Sequence, residues 1–353
     1  MFVTECSHAA LERRTVDVAS SPVPRLWRAT RMGAYALRIP RGKSARLGSG
    51  RLAARHGRQT SIAHHHSEQF RCLLPMLPKD IVVFIEEDEG RDSRIAFAAA
   101  LAEAWQAHLI ATFIVDRLEL DSHAGFAVGE GLTNMLKHHG MGVRAAVEHT
   151  REVFDDLRER RGITGEWRVS DNEVGEALML HARHASLAIV GPPFRKRRAI
   201  TTLSLSEDVI FASGRPSLLL PIDWPADRMG RRIVVGWNAS REATRAIADA
   251  MPFLMNAEQV HLVVVPDAKV RGLYGADAGA DIAQHLARYG VTVILDQCEG
   301  EDAGSVLLDQ CDALDADMLV LGAMGRSRIS EFVFGGVTRS VLEAADRPLL
   351  LSR

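Results

Sequence analysis

Short apolar runs recur along the chain, and stretches with helical periodicity separate them. Ile81–Ile85 is an unbroken apolar run and reads as a buried strand. Ile95, Ala98, Ala99, Ala102 and Trp105 follow at helical spacing and give one apolar face. Leu109–Val115 predicts a second strand, Leu132–His139 a short helix and Arg144–Glu148 a third strand. Val174–His184 reads as a helix, Leu187–Val190 as a fourth strand and Leu218–Ile222 as a fifth. Strands that alternate with helices predict a parallel sheet covered on both faces.

The pattern then repeats. Lys79-Asp80-Ile81-Val82-Val83 returns as Arg231-Arg232-Ile233-Val234-Val235, and Gly214-Arg215-Pro216-Ser217-Leu218 returns as Asp346-Arg347-Pro348-Leu349-Leu350. In the second copy Ala243, Ala246, Ile247, Ala250 and Leu254 line one side of a helix over 242–254. His261–Val265, Val291–Leu295, Met318–Leu321 and Leu349–Leu351 supply strands two to five, and Leu307, Cys311 and Leu314 mark the helix before strand four. An internal repeat of this length indicates two tandem copies of one α/β unit. The expected fold is α/β: two tandem open parallel five-stranded sheets with helices on both faces. The expected division is a first domain over 76–224 and a second over 231–353. Pro225 and Gly230 signal the linker between them. The two copies are expected to pack as an internal pseudo-dimer through their fifth strands.

Composition changes this picture at one end. Residues 1–75 hold 13 Lys and Arg against 4 Asp and Glu, whereas the remainder is acidic. Pro22, Pro24 and Pro40 interrupt any helix in this head. It reads as a basic disordered extension, or as a start assigned ahead of Met76. A basic arm touching nucleic acid or acidic lipid, and an Arg-rich transit segment, are the functional alternatives. No apolar run approaches the ~18 residues that span a bilayer. Cys6, Cys72, Cys298 and Cys311 show no metal or redox spacing. The expectation is a cytoplasmic protein with no membrane or nucleic-acid partner.

Candidate chemistry concentrates in Met318–Leu342, MLVLGAMGRSRISEFVFGGVTRSVL. An apolar strand ends at Gly322, Gly325 follows, and nine residues later Gly335-Gly336-Val337-Thr338 opens a helix. Glycines at a strand end let backbone N–H groups turn toward a ligand without a Cβ in the way. A helix start offers further free N–H groups to an anion. Such a pair of elements can hold a phosphate chain from two sides.

Gly322-x2-Gly325-x9-Gly335 resembles the nucleotide loop of the universal stress protein family. The resemblance extends over 79–352 and is clearest in the second copy. It implies an adenine-nucleotide alpha-hydrolase-like fold and a site for ATP or another adenine nucleotide. The implied site residues are Gly236, Trp237 and Asn238 after strand one, Val265 after strand two, and Gly322, Met324, Gly325, Arg326, Gly335, Gly336, Val337 and Thr338 in the loop and helix start. The resemblance sets the backbone of Val265 at the adenine edge, Asn238 at the adenosine and Met324 near the phosphates. Three positions depart from the family. Asn238 stands where an acid is common, Met324 where a His is frequent, and Gly336 where a Ser or Thr closes the triphosphate. Thr338 is the nearby substitute hydroxyl. Asn238 and Ser240 equally read as caps of the next helix, and Arg326 and Arg328 as solvated loop residues.

The first copy lacks these features. Gly191 is followed by Pro192 and Pro193, which have no N–H, and Phe194 replaces the second glycine. Arg195–Arg198 reads as a solvated basic loop. Gly42-Lys43-Ser44 lacks the leading glycine of a phosphate loop. His64–His66 and the His181/His184 pair lack the further ligands of a metal site. Asp302, Asp315 and Asp317 read as capping or surface acids, and nothing nominates a magnesium ligand. No catalytic constellation emerges. The expected function is a stress-response protein that binds or senses an adenine nucleotide in its C-terminal domain without strong catalysis. Slow ATP hydrolysis, or protein interaction without nucleotide, are the alternatives. Protein partners and any homodimer are not specified by the residues.

Overall fold

The computed structural model describes residues 77–115, 130–170, 175–193, 204–266, 278–323, 325–328, 331–334, 336–344 and 346–353. The basic head, with His64–His66, lies outside these residues, as do Phe194–Arg198, Met324 and Gly335. The first half of the described chain runs β1 (Asp80–Ile85), α1 (Arg91–Trp105), β2 (His108–Ile114), α2 (Glu130–Arg161), β3 (Gly165–Ser170), α3 (Gly175–Arg183), β4 (Leu187–Val190), α4 (Leu205–Ala212) and β5 (Ser217–Leu219). The second half runs β6 (Arg232–Gly236), α5 (Arg241–Leu254), β7 (Gln259–Val264), α6 (Ala280–Arg288), β8 (Val293–Gln297), α7 (Ala303–Ala313) and β9 (Met318–Gly322). It ends with β10 (Gly325–Arg328), β11 (Glu331–Phe334), α8 (Gly336–Ala344) and β12 (Leu349–Ser352).

The main strands form one ten-stranded sheet in the order β3-β2-β1-β4-β5-β12-β9-β6-β7-β8. Each half repeats the same five-strand order, and its internal pairings are parallel. The halves meet where β5 pairs antiparallel with β12, Leu218 opposite Leu350 and Leu219 opposite Leu349. The expected parallel α/β architecture is present, and the fifth strands do meet, so the two five-stranded sheets become one.

Burial explains why the sheet does not stop at the join. Ser217, Leu218, Leu219, Leu349, Leu350 and Leu351 are all buried. At roughly 2 kcal/mol for each fully buried leucine side chain, the five leucines represent on the order of 10 kcal/mol, an upper bound. Trp105 of α1 meets Phe253 of α5 edge-on across the join, with ring centroids 4.7 Å apart. On the opposite face the Arg353 guanidinium lies 5.4 Å from the Phe211 ring centre. One core runs under α1, α2, α5 and α6 through both halves, and a second lies under α3, α4, α7 and α8.

The segment Arg144–Glu148 corrects the sequence reading. It lies inside α2, as does Leu132–His139, and the third strand of the first half is β3. Ala146, Thr150 and Phe154 are buried at four-residue spacing, a helical stripe. No glycine or proline breaks 143–161. β3 is an edge strand with a single buried residue, Ser170, so it carries no apolar run. Two helices that the sequence reading did not place, α4 and α6, complete the layers. The stretch after Gly325 also differs from the expected open loop, because β10 and β11 pair as an antiparallel hairpin.

Leu350→Ala tests the join. It removes a fully buried side chain opposite Leu218 and is expected to cost about 2–4 kcal/mol in urea unfolding. A change under about 0.5 kcal/mol would show that the join does not hold the two halves together.

Candidate functional site

Parallel pairing sets the C-terminal ends of β6, β7 and β9 along one edge of the sheet. The strand order reverses at β6, which lies between β9 and β7. Such a reversal leaves a crevice beyond the strand ends, where α/β sheets bind ligands. Gly236 closes β6 and Gly322 closes β9, on neighbouring strands. Trp237 follows, with its N–H on the Val263 carbonyl at 2.9 Å. Its ring packs half-buried against Val264 and Ala278. Val265 is half-buried just beyond β7.

Packing alone requires one of the glycines and favours a second. A Cβ on Gly322 would stand 2.4 Å from the backbone nitrogen of Ala243 and 2.4 Å from the carbonyl carbon of Glu242. The first turn of α5 therefore lies directly on the end of β9. A Cβ on Gly236 would meet the end of the Leu321 side chain at 2.4 Å.

Asn238 and Ser240 act as the helix-capping reading expected. The Ser240 N–H donates to the Asn238 carboxamide oxygen at 3.2 Å, and the Ser240 hydroxyl accepts from the Ala243 N–H at 3.1 Å. Ala239 between them sits at φ 56°, a left-handed turn. Asn238 itself is exposed.

Connectivity brings four helix starts to this edge: α5 after β6, α6 after β7, α7 after β8, and α8 after the β10–β11 hairpin. The N-termini of α7 and α8 touch, since a Cβ on Gly304 would lie 3.3 Å from the Val337 carbonyl oxygen. Ser240 fills the start of α5. Asp302 fills that of α7, accepting from the Gly304 and Ser305 N–H groups at 3.1 and 3.2 Å. Gly336, which opens α8, is exposed and has open space where a side chain would stand. Val337 is exposed too, but Thr338 is buried at 3% exposure and turns away from solvent. Gly325 and Arg326 lie on β10.

Other polar groups escaped the sequence reading. Asp317, expected at the surface or a cap, is 3% exposed. Its carboxylate accepts from the backbone N–H groups of Arg231 and Arg232 at 3.0 and 2.9 Å, which ties β9 to the start of β6. His261 on β7 holds Asp296 on β8 at 2.8 Å. Burial pushes the Cys311 thiol up to about 12, so this cysteine is inert core. Among the described residues no cluster of ligating side chains could hold a metal, and no helix is long and apolar enough to cross a membrane.

The universal stress protein family model matches residues 229–353, the span holding this crevice. Residues 229–353 are a universal stress protein domain. A comparison with curated proteins returns no match. A universal stress protein from Archaeoglobus fulgidus shares the fold at a TM-score of 0.57 and 14% identity, covering 77% of this chain and 98% of its own. A functionally unknown protein from Pseudomonas aeruginosa PAO1 does so at 0.53 and 16%, covering 79% and 93%. Each covers more of this chain than the matched domain alone, so the shared fold reaches into the first half.

Two expectations follow for the universal stress protein domain. Gly322→Ala forces its Cβ onto α5 backbone and is expected to cost about 2–3 kcal/mol, whereas Gly236→Ala meets a side chain that can turn and costs less. Equal losses in thermal unfolding would contradict this. The Ser305 hydroxyl, then the Gly304 and Ser305 N–H groups, hold the Asp302 carboxyl below the usual carboxylate range. A depressed native pKa gives stability that is present above the unfolded value of about 3.9 and fades as pH falls through the native one. The cost of Asp302→Ala, about 0.5–1 kcal/mol at neutral pH for an exposed cap, is therefore expected to shrink below about pH 4. A cost unchanged down to pH 2 would exclude an ionised cap.

Proposed function

We propose that the universal stress protein domain binds an adenine nucleotide at the C-terminal ends of β6, β7 and β9, as a sensor without strong catalysis. The observation that carries this reading is the start of α8. Of the four helix starts on this edge, α5 and α7 are filled by their own side chains and α6 follows Gly279, packed against Val264 and Leu295, while α8 opens on an exposed glycine with free space before it among the described residues. Backbone N–H groups at such a start favour an anion. Gly322 closes the neighbouring strand β9, and Trp237 and Val265 offer half-buried apolar surface for a base. Met324, Gly335 and the Arg326 side chain belong to the proposed site by resemblance alone.

The phosphate end is the weaker part. Gly336 supplies no hydroxyl and Thr338 is turned inward, so a diphosphate or monophosphate is held nearly as well as a triphosphate. Among the described residues none is placed to activate water, which argues against efficient ATP hydrolysis. One observation favours the rival reading of an interaction domain without nucleotide. The Asn238 carboxamide oxygen is already engaged by Ser240.

Calorimetric titration of ATP, ADP and AMP into the full chain tests the proposal. Binding is expected in the wild type and lost in Gly325→Val. Gly336→Ser has room for its side chain and is expected to raise ATP affinity about 10–100-fold, the contribution of one hydrogen bond to a charged group. Absence of binding at millimolar nucleotide in both the wild type and Gly336→Ser would sink the nucleotide reading.

A further inference from the structure

The corresponding edge of the first half is filled by the chain itself. Gly191 ends β4 where Gly322 ends β9, since Leu187 and Met318 hold the same register against β1 and β6. In the second half the backbone of α5 lies on that glycine. In the first half a guanidinium does: a Cβ on Gly191 would come within 2.2 Å of the Arg94 Nη2 atom. Arg94 is 2% exposed. Its Nη2 donates to both Asp88 oxygens, at 3.0 and 2.8 Å, and its Nη1 donates to the Phe84 carbonyl at 3.3 Å. Asp88 also accepts from the Gly90 N–H at 2.8 Å, so the loop that delivers the carboxylate is fixed around the pair.

The loop chemistry is inverted as well. After β1 the chain reads Glu86-Glu87-Asp88-Glu89, against Trp237-Asn238-Ala239-Ser240 after β6. Asp88 is matched by Arg94, and the exposed Glu87 and Glu89 repel a phosphate chain. Pro192 and Pro193 add no N–H donors beyond Gly191. The edge thus provides a carboxylate, a carbonyl and a glycine that leaves room for a flat cation. Those are the groups a guanidinium requires.

We propose that the first-half crevice is a guanidinium site occupied by the chain's own Arg94, which seals it and leaves one ligand site among the described residues. The count of one rests on the nucleotide reading of the second half; the sealing does not. Arg94 is an internal occupant, and the two halves have diverged into a cation-filled crevice and an anion-facing one.

Chemical rescue tests the seal in the full chain. Arg94→Ala is expected to lower the melting temperature by several degrees, and millimolar guanidinium chloride is expected to restore part of it with saturation. Tetramethylammonium chloride at equal ionic strength should restore none, and Asp88→Ala combined with Arg94→Ala should not respond. Equal effects of the two salts, or an equal gain without Asp88, would overturn the proposal. Gly191→Ala keeps the test decisive if Arg94→Ala fails to fold. Its Cβ strikes the guanidinium, so adding Arg94→Ala should relieve its defect, and simple additivity would overturn the seal. In the nucleotide titration one site per chain is expected, lost in Gly325→Val. A second site that survives Gly325→Val refutes the sealed crevice while sparing the nucleotide reading. No binding at all removes the nucleotide reading, and the rescue then decides the seal alone.

Discussion

An apolar strand with one unpaired edge cannot stay in water, and that constraint organises this molecule. β5 and β12 are the fifth strands of their halves, and both are buried on their faces. Alone, either would expose a row of N–H and C=O groups beside leucines, a template for aggregation. Antiparallel pairing satisfies both edges at once. The helices follow from it, since α1 and α5 then lie close enough for Trp105 and Phe253 to touch. The outer ends of the sheet obey the same rule differently. β3 and β8 are half-exposed strands whose polar residues keep their edges solvated.

Both halves carry the same five-strand order, but the chemistry beyond their strand ends differs. At one position, the glycine that ends the fourth strand, a helix backbone rests in one half and a guanidinium in the other. Both are dense arrangements. The halves differ in what remains facing solvent beyond them: Glu87 and Glu89 in the first, a glycine-opened helix start in the second. A parallel sheet fixes where a crevice lies, whereas the loops fix the sign of charge it accepts.

Much of the fold was legible because parallel strands buried on both faces read as apolar runs. Ile81–Ile85, Leu187–Val190 and Met318–Leu321 announce themselves this way. β3 did not, since an edge strand needs no such run. Ala146, Thr150 and Phe154 spread their signal over one long helix, α2, which also carries Gly140 and Gly142. For the site, glycine spacing identified the strand ends and the start of α8. It could not reveal that Thr338 turns inward or that Gly322 is required by α5 packing. Arg94, Asp88 and Asp317 were illegible for a common reason. A charged residue in a sequence reads as surface, and only the fold shows which partner lets it be buried.

The covalent link between the paired fifth strands has a consequence for how the two halves can change. In an association of identical subunits about a two-fold axis, every substitution appears twice, and each surface must remain complementary to itself. Here one chain carries both sides of the pairing, so the encounter is intramolecular and independent of protein concentration. Self-complementarity is no longer demanded of either half. A mutation that emptied or refilled one crevice could persist without touching the other, provided the leucine edge survived. Freed from that symmetry, one unit can keep a ligand while its twin becomes scaffold.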